Sequence, residues 1–202
     1  RMVNAYSKLN LEESPMLLME FHGSPASVKE QAELVQEIAS EHGGTSFDWA
    51  TTPEARTKLW TARHNAYFAG VQSKPGCRVI STDTCVPISK LADCLLESVA
   101  EADASGIPYF LGCRVGDGNF HFGYLIDPND PQERETAEAL NDKLVARALR
   151  LEGTCTGEHG VGLHKMDFLK TETGLGAVDM MRTIKHALDP DNIMNPGKIF
   201  SW

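Results

Sequence analysis

The chain has 202 residues, of which 42% are hydrophobic and 23% charged, so it has the composition of a globular protein that can bury a sizeable core. Its formal net charge of −9 argues against a nucleic-acid partner, because phosphate binding needs a clustered basic surface. No apolar run approaches the roughly 20 residues that a membrane-spanning helix needs.

The cysteines and the first residues bear on the cellular context of the chain. Five cysteines are dispersed without a Cys-x-x-Cys pair, which indicates reduced thiols in a reducing compartment. The opening stretch RMVNAYSKL lacks the basic and then apolar order of a signal peptide. Because position 1 is arginine rather than methionine, we expect the sequence to be a piece of a longer protein.

The first part of the chain predicts two strands, each followed by a helix. Residues 15–23 form a short apolar run closed by glycine, which is typical of a buried strand, and residues 45–50 predict a second strand. Between them Ser27 is placed to cap a helix that the glycines 43–44 end. A longer helix is predicted after the second strand, with Pro53 in its first turn.

The remainder predicts three strands and three helices. The strands are expected at residues 77–87, 107–115 and 119–128, and the helices at 89–106, 130–153 and 176–188. The second and third strands are joined by the turn sequence GDGN, which suits positive φ angles. This order predicts an α+β fold with one antiparallel sheet backed by helices, which two interleaved ferredoxin-like units would satisfy.

The glycine-rich segment GTCTGEHGVG, residues 153–162, carries the first candidate site. Glu158 and His159 stand side by side between glycines, where the backbone is free to present both side chains to a ligand. A carboxylate is a hard oxygen donor, and an imidazole is a metal ligand or a proton acceptor near neutral pH. The alternative is a surface loop with solvated charges.

The turn GDGN carries a second candidate, His121. Asp-Gly repeats resemble calcium loops, but the further acidic ligands of an EF-hand are absent, so the turn is interpreted as a geometric device. Taken alone, His121 is typical of a histidine satisfied within the core. It becomes a metal ligand together with Glu158 only if the fold brings the two together.

The stretch LWTARHNAY carries a third candidate, Arg63, on the predicted long helix. A guanidinium group can bind a carboxylate through two parallel hydrogen bonds. Without further information, an exposed arginine on a helix face explains the pattern equally well.

Five motifs taken together resemble a known family. In chain order they are LWTARHNAY, STDTCVPIS, GDGNFH, GTCTGEHGVGLHK and LDPDNIMNPGKIF. Their combination resembles the C-terminal portion of the FAD-linked oxidase family, and within it the flavin-dependent, cytochrome-linked D-lactate dehydrogenases and their 2-hydroxyglutarate and glycolate relatives. The resemblance covers about residues 15–200.

The resemblance implies a reaction and a set of residue roles. A D-2-hydroxy acid would lose its Cα hydride to FAD while His159 removes the hydroxyl proton. A zinc or manganese ion would be held by His121 and Glu158 with a further histidine. Arg63 would bind the substrate carboxylate, and the segment from Asn195 to Lys198 would approach the flavin.

Arg114 departs from this pattern. The family sequence before GDGN is usually Gly-His-Val, so Arg114 stands where the first metal-binding histidine is expected. A guanidinium group stays protonated, has no lone pair to donate and repels a cation. Either the site binds metal poorly, or a neighbour replaces the missing ligand, or Arg114 itself binds the substrate.

A second departure concerns the cofactor. Nothing in the sequence resembles the FAD-binding domain of the family, so residues 1–202 are expected to be the substrate-binding cap domain, with FAD held mainly by a missing N-terminal domain. The resemblance further implies oxidation of D-lactate to pyruvate, a cytochrome or quinone as electron acceptor, and room for a homodimer. It implies a cytoplasmic location in a bacterium or a mitochondrial one in a eukaryote.

Two other functions remain open on the sequence. One is a stand-alone metal- or carboxylate-binding module without redox activity, which an encoded FAD-binding domain upstream of Arg1 would rule out. The other is a structural role in a multi-subunit oxidase, in which Arg114 reflects lost catalysis.

Overall fold

The computed structural model describes residues 1–201, and the chain divides into two compact units, residues 1–69 and the remainder from Gly70. The first unit contains α1 (Met2–Ser7), α2 (Pro25–Glu41) and most of α3 (Pro53–Ser73). Ser24, rather than the expected Ser27, caps α2: its hydroxyl accepts a hydrogen bond from the backbone N–H of Ser27 at 3.3 Å. The predicted start of α3 at Pro53 is confirmed.

The two strands predicted in this unit are wrong. Residues 15–23 and 45–50 are outside every strand of the described chain. Leu17 is 60% exposed and Trp49 52%, so neither segment buries the apolar face that the prediction assumed. A hydrophobic run forms a strand only when a neighbouring backbone accepts its hydrogen bonds.

The second unit is built on an antiparallel sheet with β4 (Asn119–Ile126) at its centre. On one side of β4 lie β1 (Arg78–Ser81) and β2 (Thr84–Cys85), in register at Ser81↔Gly123 and Thr84↔Phe120. On its other side lies β3 (Tyr109–Arg114), which ends with Arg114 opposite Asn119. The strand expected over residues 77–87 is therefore interrupted at residues 82–83.

Helices cover one face of this sheet. They are α4 (Ile88–Ser105) and α5 (Pro131–Arg150), and α6 (Met166–Thr173) and α7 (Leu175–Leu188) follow them in the chain. Every second residue of β4 packs against α4 and α5 in one core that includes Phe120, Phe122, Tyr124 and Ile126. Each such side chain stabilises the fold by roughly 1.5–3 kcal/mol. Alternation along the strand places His121 on the opposite face from this core.

The predicted α+β fold with an antiparallel sheet backed by helices is confirmed. The order β-α-β-β-α corresponds to one ferredoxin-like unit, and the bridge between Cys85 and Thr154 lies where that unit would have its last strand. The second interleaved unit is not found, because the strands that it required are not formed in the described residues. The short helix α6 was not predicted, since eight residues show too little periodicity. No helix of the described chain is both long and apolar enough to cross a membrane.

The turn between β3 and β4 begins with a short 3₁₀ turn, Val115–Asp117. Gly118 follows with a φ of +72°, a conformation that disfavours residues with a side chain. A Cβ atom at Gly118 would also overlap the carbonyl oxygen of Val86, which is a steric clash with the backbone. Gly116 has open space around it and no such constraint.

We therefore expect Gly118→Ala to lower the free energy of unfolding by at least about 2 kcal/mol, because it combines backbone strain with a steric clash. Gly116→Ala is the matched control in the same turn and should change this free energy by less than about 0.5 kcal/mol. Urea denaturation of both variants measures the difference. Equal effects of the two substitutions would contradict the assignment of the constraint to Gly118.

Candidate active site

The face of the sheet opposite the helical core carries a group of polar residues at the break between β1 and β2. His121 projects from β4, and its Nδ1 lies 3.0 Å from the carbonyl oxygen of Thr82. A carbonyl oxygen only accepts hydrogen bonds, so Nδ1 carries the proton. The other ring nitrogen, Nε2, lies 3.0 Å from Oε1 of Glu158.

Glu158 is the meeting point of three residues that the sequence singled out. Its Oε2 forms an ion pair with Arg114 Nη2 at 3.0 Å. Its Oε1 faces His121 and lies 3.9 Å from His159 Nε2. The rings of His121 and His159 are nearly parallel, with centroids 5.0 Å apart. The structure thus places Arg114, His121, Glu158 and His159 in one site, although their roles stay predictions.

The loop that carries Glu158 and His159 is held by a carboxylate the sequence analysis did not single out. Asp83, which is 1% exposed, accepts hydrogen bonds from the backbone N–H groups of Gly157, Glu158 and His159 at 3.0–3.2 Å. The hydroxyl of Thr156 donates to the same carboxylate at 3.0 Å. Three consecutive backbone donors converge on one anion, which fixes the course of the loop.

Lys165 and Asn119 complete the surroundings of Asp83. The Lys165 ammonium donates to Asp83 Oδ2 at 3.1 Å and to its carbonyl oxygen at 2.6 Å, and Asn119 Nδ2 donates to Oδ1 at 3.1 Å. Burial alone would raise the pKa of the Asp83 carboxyl. The backbone hydrogen bonds from His159 and Glu158 and the nearby ammonium outweigh burial and hold this pKa well below its ordinary value.

Close packing and a second carboxylate reinforce the loop. A Cβ atom at Gly157 would overlap Asn119 Nδ2, so only glycine lets the loop approach β4 this closely. At the start of the loop, the backbone N–H of Cys155 donates to Glu172 of α6 at 2.8 Å. Most backbone donors of this irregular segment are therefore satisfied by carboxylates, and that of Thr156 by the hydroxyl of Thr154.

A tightly bound divalent metal ion requires several free ligand atoms close together. Ligand atoms of Asp83, His121 and His159 lie within 4.8 Å of one another. Both oxygens of Asp83 already accept several hydrogen bonds, one of them from Lys165, so this carboxylate is not a free ligand. One oxygen of Glu158 is paired with Arg114. These residues do not fit a tightly bound divalent ion, because the remaining ligands lie beside a fixed positive charge.

The other predicted site residues lie elsewhere in the chain. Arg63 belongs to α3 in the first unit and its side chain is exposed. Asn195 and Lys198 are exposed in the segment after α7, in the second unit. The backbone N–H of Ile199 donates to the carbonyl oxygen of Gly162 at 2.8 Å, which joins this segment to the end of the glycine-rich loop.

Asp189 holds the segment after α7. It is 6% exposed and accepts hydrogen bonds from the backbone N–H groups of Ile193 and Met194 at 3.0 and 2.9 Å. Its carboxylate also pairs with Lys185. The hydrogen bond from Lys185 lowers the pKa of the Asp189 carboxyl, and those from the backbone lower it further against the effect of burial.

Asp83 and Lys165 are residues of this site that the sequence did not single out. Both stand inside motifs that carry the family resemblance, Asp83 in STDTCVPIS and Lys165 at the end of GTCTGEHGVGLHK. An aspartate in the middle of a predicted strand is a signal of a buried, paired charge, because strands are depleted of aspartate. The residue that it pairs with could not be read from the pattern, since it lies 82 positions away.

Comparisons with known proteins agree on one family. The C-terminal domain family of the FAD linked oxidases matches residues 1–199. The cytochrome-type mitochondrial D-lactate dehydrogenase of Arabidopsis thaliana is 45% identical over 199 residues, which are 98% of this chain and 35% of that protein. The glycolate oxidase subunit GlcD of Bacillus subtilis is 32% identical over 202 residues, 98% of this chain and 42% of that protein.

A solved structure shows the same fold. The 4-ethylphenol oxidase from Gulosibacter chungangensis, in complex with isoeugenol, superposes with a TM-score of 0.65 over 90% of this chain and 38% of its own. At 19% identity this likeness concerns the fold alone. This chain spans about two fifths or less of the length of these relatives.

Asp189→Asn is expected to lower the free energy of unfolding at neutral pH, because it removes the charge that Lys185 and two backbone N–H groups contact. The folded-state pKa of Asp189 lies below its ordinary value of 3.8, so its stabilising effect is present above that pH and is lost as the pH falls further. The difference between the wild-type protein and the variant should therefore shrink below about pH 4.

Urea denaturation between pH 7 and pH 2.5 measures this difference. Asp191→Asn, at an exposed position two residues further on, is the matched control and should track the wild-type protein. A difference for Asp189→Asn that stays constant over the whole pH range would contradict the assignment.

Proposed function

Because the chain belongs to the C-terminal domain family of the FAD-linked oxidases, we propose that it is the substrate-side domain of a flavin-dependent dehydrogenase that oxidises a D-2-hydroxy acid. The observation that carries this proposal is the meeting of a histidine, a carboxylate and a guanidinium group around Glu158. D-Lactate, oxidised to pyruvate, is the substrate that we favour, since the Arabidopsis relative is a D-lactate dehydrogenase.

FAD would be held mainly by a domain outside these 202 residues, and this chain would contribute a few contacts. Asn195 and Lys198 are exposed on a segment that Asp189 fixes, and their amide and ammonium groups suit the oxygen atoms of a flavin. When bound, FAD supplies the acceptor for the hydride that leaves the substrate Cα.

His159 is the proposed general base. Its exposed side chain is free to reach a substrate hydroxyl, and Glu158 Oε1, 3.9 Å from its Nε2, would stabilise the imidazolium that forms. The hydroxyl proton moves to His159 as the hydride leaves Cα, and the C–O bond becomes the carbonyl of the 2-oxo acid.

Arg114 is proposed to recognise the substrate carboxylate, because it is half exposed next to Glu158 and its remaining N–H groups can donate to the substrate. For Arg63, which is exposed in the first unit, carboxylate binding is a separate proposal that rests on the family resemblance alone.

We propose that the site works without a tightly bound metal. His121 and Glu158 would be the ligands of a zinc or manganese ion, but Arg114 occupies the place of a third and pairs with Glu158. At about 4 Å and an effective dielectric constant near 20, the repulsion per unit charge is roughly 4 kcal/mol. Solvent screening reduces this figure, because Arg114 is 51% exposed, yet the effect still opposes metal binding.

The whole protein would pass electrons from FAD to a cytochrome or a quinone and would be compatible with a homodimer. The cytochrome-type name of the Arabidopsis relative supports a cytochrome as acceptor. Its mitochondrial location supports the same location if the source is a eukaryote, and the cytoplasm is proposed if it is a bacterium.

The proposed reaction predicts that His159→Asn in the full-length protein lowers kcat on the order of 10²–10⁴-fold, because the general base is lost. The measurement is dye-linked oxidation of a panel of D- and L-2-hydroxy acids that includes lactate, glycolate and 2-hydroxyglutarate. His164→Asn, at an exposed position five residues on, is the matched control and should leave kcat unchanged. Near-wild-type turnover of His159→Asn would refute the role of this residue.

The proposal on metal predicts that the wild-type protein is purified without stoichiometric zinc or manganese, and that Arg114→His binds these ions tightly. The substitution removes the fixed positive charge and supplies an imidazole ligand. Metal analysis after purification and calorimetric titration measure both properties. Arg134→His, on the surface of α5, is the control for a histidine gained elsewhere. Stoichiometric metal that resists chelators in the wild-type protein would refute the proposal.

A further inference from the structure

We propose that Asp83, with Lys165 as its counter-ion, is a positioning residue that holds Glu158 and His159 in their working directions. The inference rests on the proposed function, in which His159 takes the substrate proton. Asp83 lies behind the loop and contacts its backbone, so it acts through the loop and does not need to touch a substrate.

The hydrogen bonds of Asp83 determine the conformation at the two residues that carry the chemistry. Its Oδ2 accepts the N–H groups of Gly157 and His159 at 3.0 Å each, and both oxygens accept that of Glu158. With the three N–H groups directed at one point, the backbone angles between them are fixed, and the two side chains leave the backbone in fixed directions. Glu158 then reaches His121 at 3.0 Å.

The loop depends strongly on Asp83 because it has no regular secondary structure of its own. Within residues 155–160 the described structure has no strand or helix, and the preceding bridge between Cys85 and Thr154 ends before the site begins. The loop is therefore held where Asp83 and Glu172 accept its N–H groups. Removing Asp83 leaves three neighbouring donors close to the body of the domain without an acceptor.

The ion pair with Lys165 stabilises the ionised form of Asp83 at neutral pH. The side chain of Lys165 is only 14% exposed, and that of Asp83 is 1% exposed. A carboxylate this deeply buried needs an opposite charge and full hydrogen bonding to remain ionised. Lys165 provides the charge, and it also bonds the backbone carbonyl oxygen of Asp83, which anchors the residue itself.

The test separates stability from positioning with three variants of the full-length protein: Asp83→Asn, Lys165→Met and the double variant. Asp83→Asn turns one acceptor into a donor that faces other donors, and it leaves the Lys165 charge buried alone, so it should destabilise the protein. The double variant removes the lone charge and should recover most of that stability. If Asp83→Asn alone does not fold, the double variant carries the test.

Two readouts in the double variant report on positioning. Hydrogen exchange at the amides of residues 157–159 should remain faster than in the wild-type protein, while α5 stays protected. The kcat for the 2-hydroxy acid should remain lower on the order of 10²-fold, with KM little changed, because a misdirected base affects the chemical step. Recovery of kcat and of slow exchange together with stability would overturn the proposal, since Asp83 would then be merely structural.

A control variant and the hydrogen-exchange measurement distinguish a failure of the proposed function from a failure of the role proposed for Asp83. Asp167→Asn removes a carboxylate that pairs with Lys170 on the surface and is 93% exposed, so it should change none of the three readouts. Hydrogen exchange requires neither flavin nor substrate. If the wild-type protein oxidises no 2-hydroxy acid, the proposed function fails, while fast exchange at residues 157–159 in the double variant still supports the role of Asp83.

Discussion

A carboxylate taken out of water must be surrounded by donors, and the second unit of this protein is arranged around one such group. Asp83 lies where the first edge of the sheet breaks between β1 and β2, so its side chain is directed away from the regular ladder. The donors come from β4, from the glycine-rich loop and from the start of α6. All three segments thus contribute donors that satisfy this one charge.

Around Glu158 the charges are balanced differently, because this carboxylate is only partly buried. It is shared between the guanidinium group of Arg114 and the imidazole of His121. In the proposed reaction, Arg114, whose side chain is 51% exposed, would exchange this pair for contacts with an anionic substrate. Asp83 is buried behind the loop, whereas Glu158 in front of it is partly exposed.

The parts of this architecture that local patterns determine could be predicted from the sequence. The strands on either side of GDGN, the start of α3 at Pro53, and the prominence of Glu158 and His159 all rest on neighbours within a few residues. The apolar run 15–23 predicts a strand that the described structure does not have, because hydrophobicity signals burial only if a partner exists. Asp83 was missed for the related reason that its donors come from residues 157–159, far along the chain.

The sequence separation between Asp83 and its donors also affects when their hydrogen bonds can form during synthesis. Asp83 and His159 are 76 positions apart, and the segments between them include α4, β3, β4 and α5. Contacts between such distant residues are costly in loop-closure entropy and form late in folding. At synthesis rates of 5–20 residues per second, roughly 4–15 s pass between the appearance of Asp83 and that of its donors. Until residues 157–159 have been synthesised, Asp83 is hydrated by water, and its hydrogen bonds with the loop can form only after these residues appear.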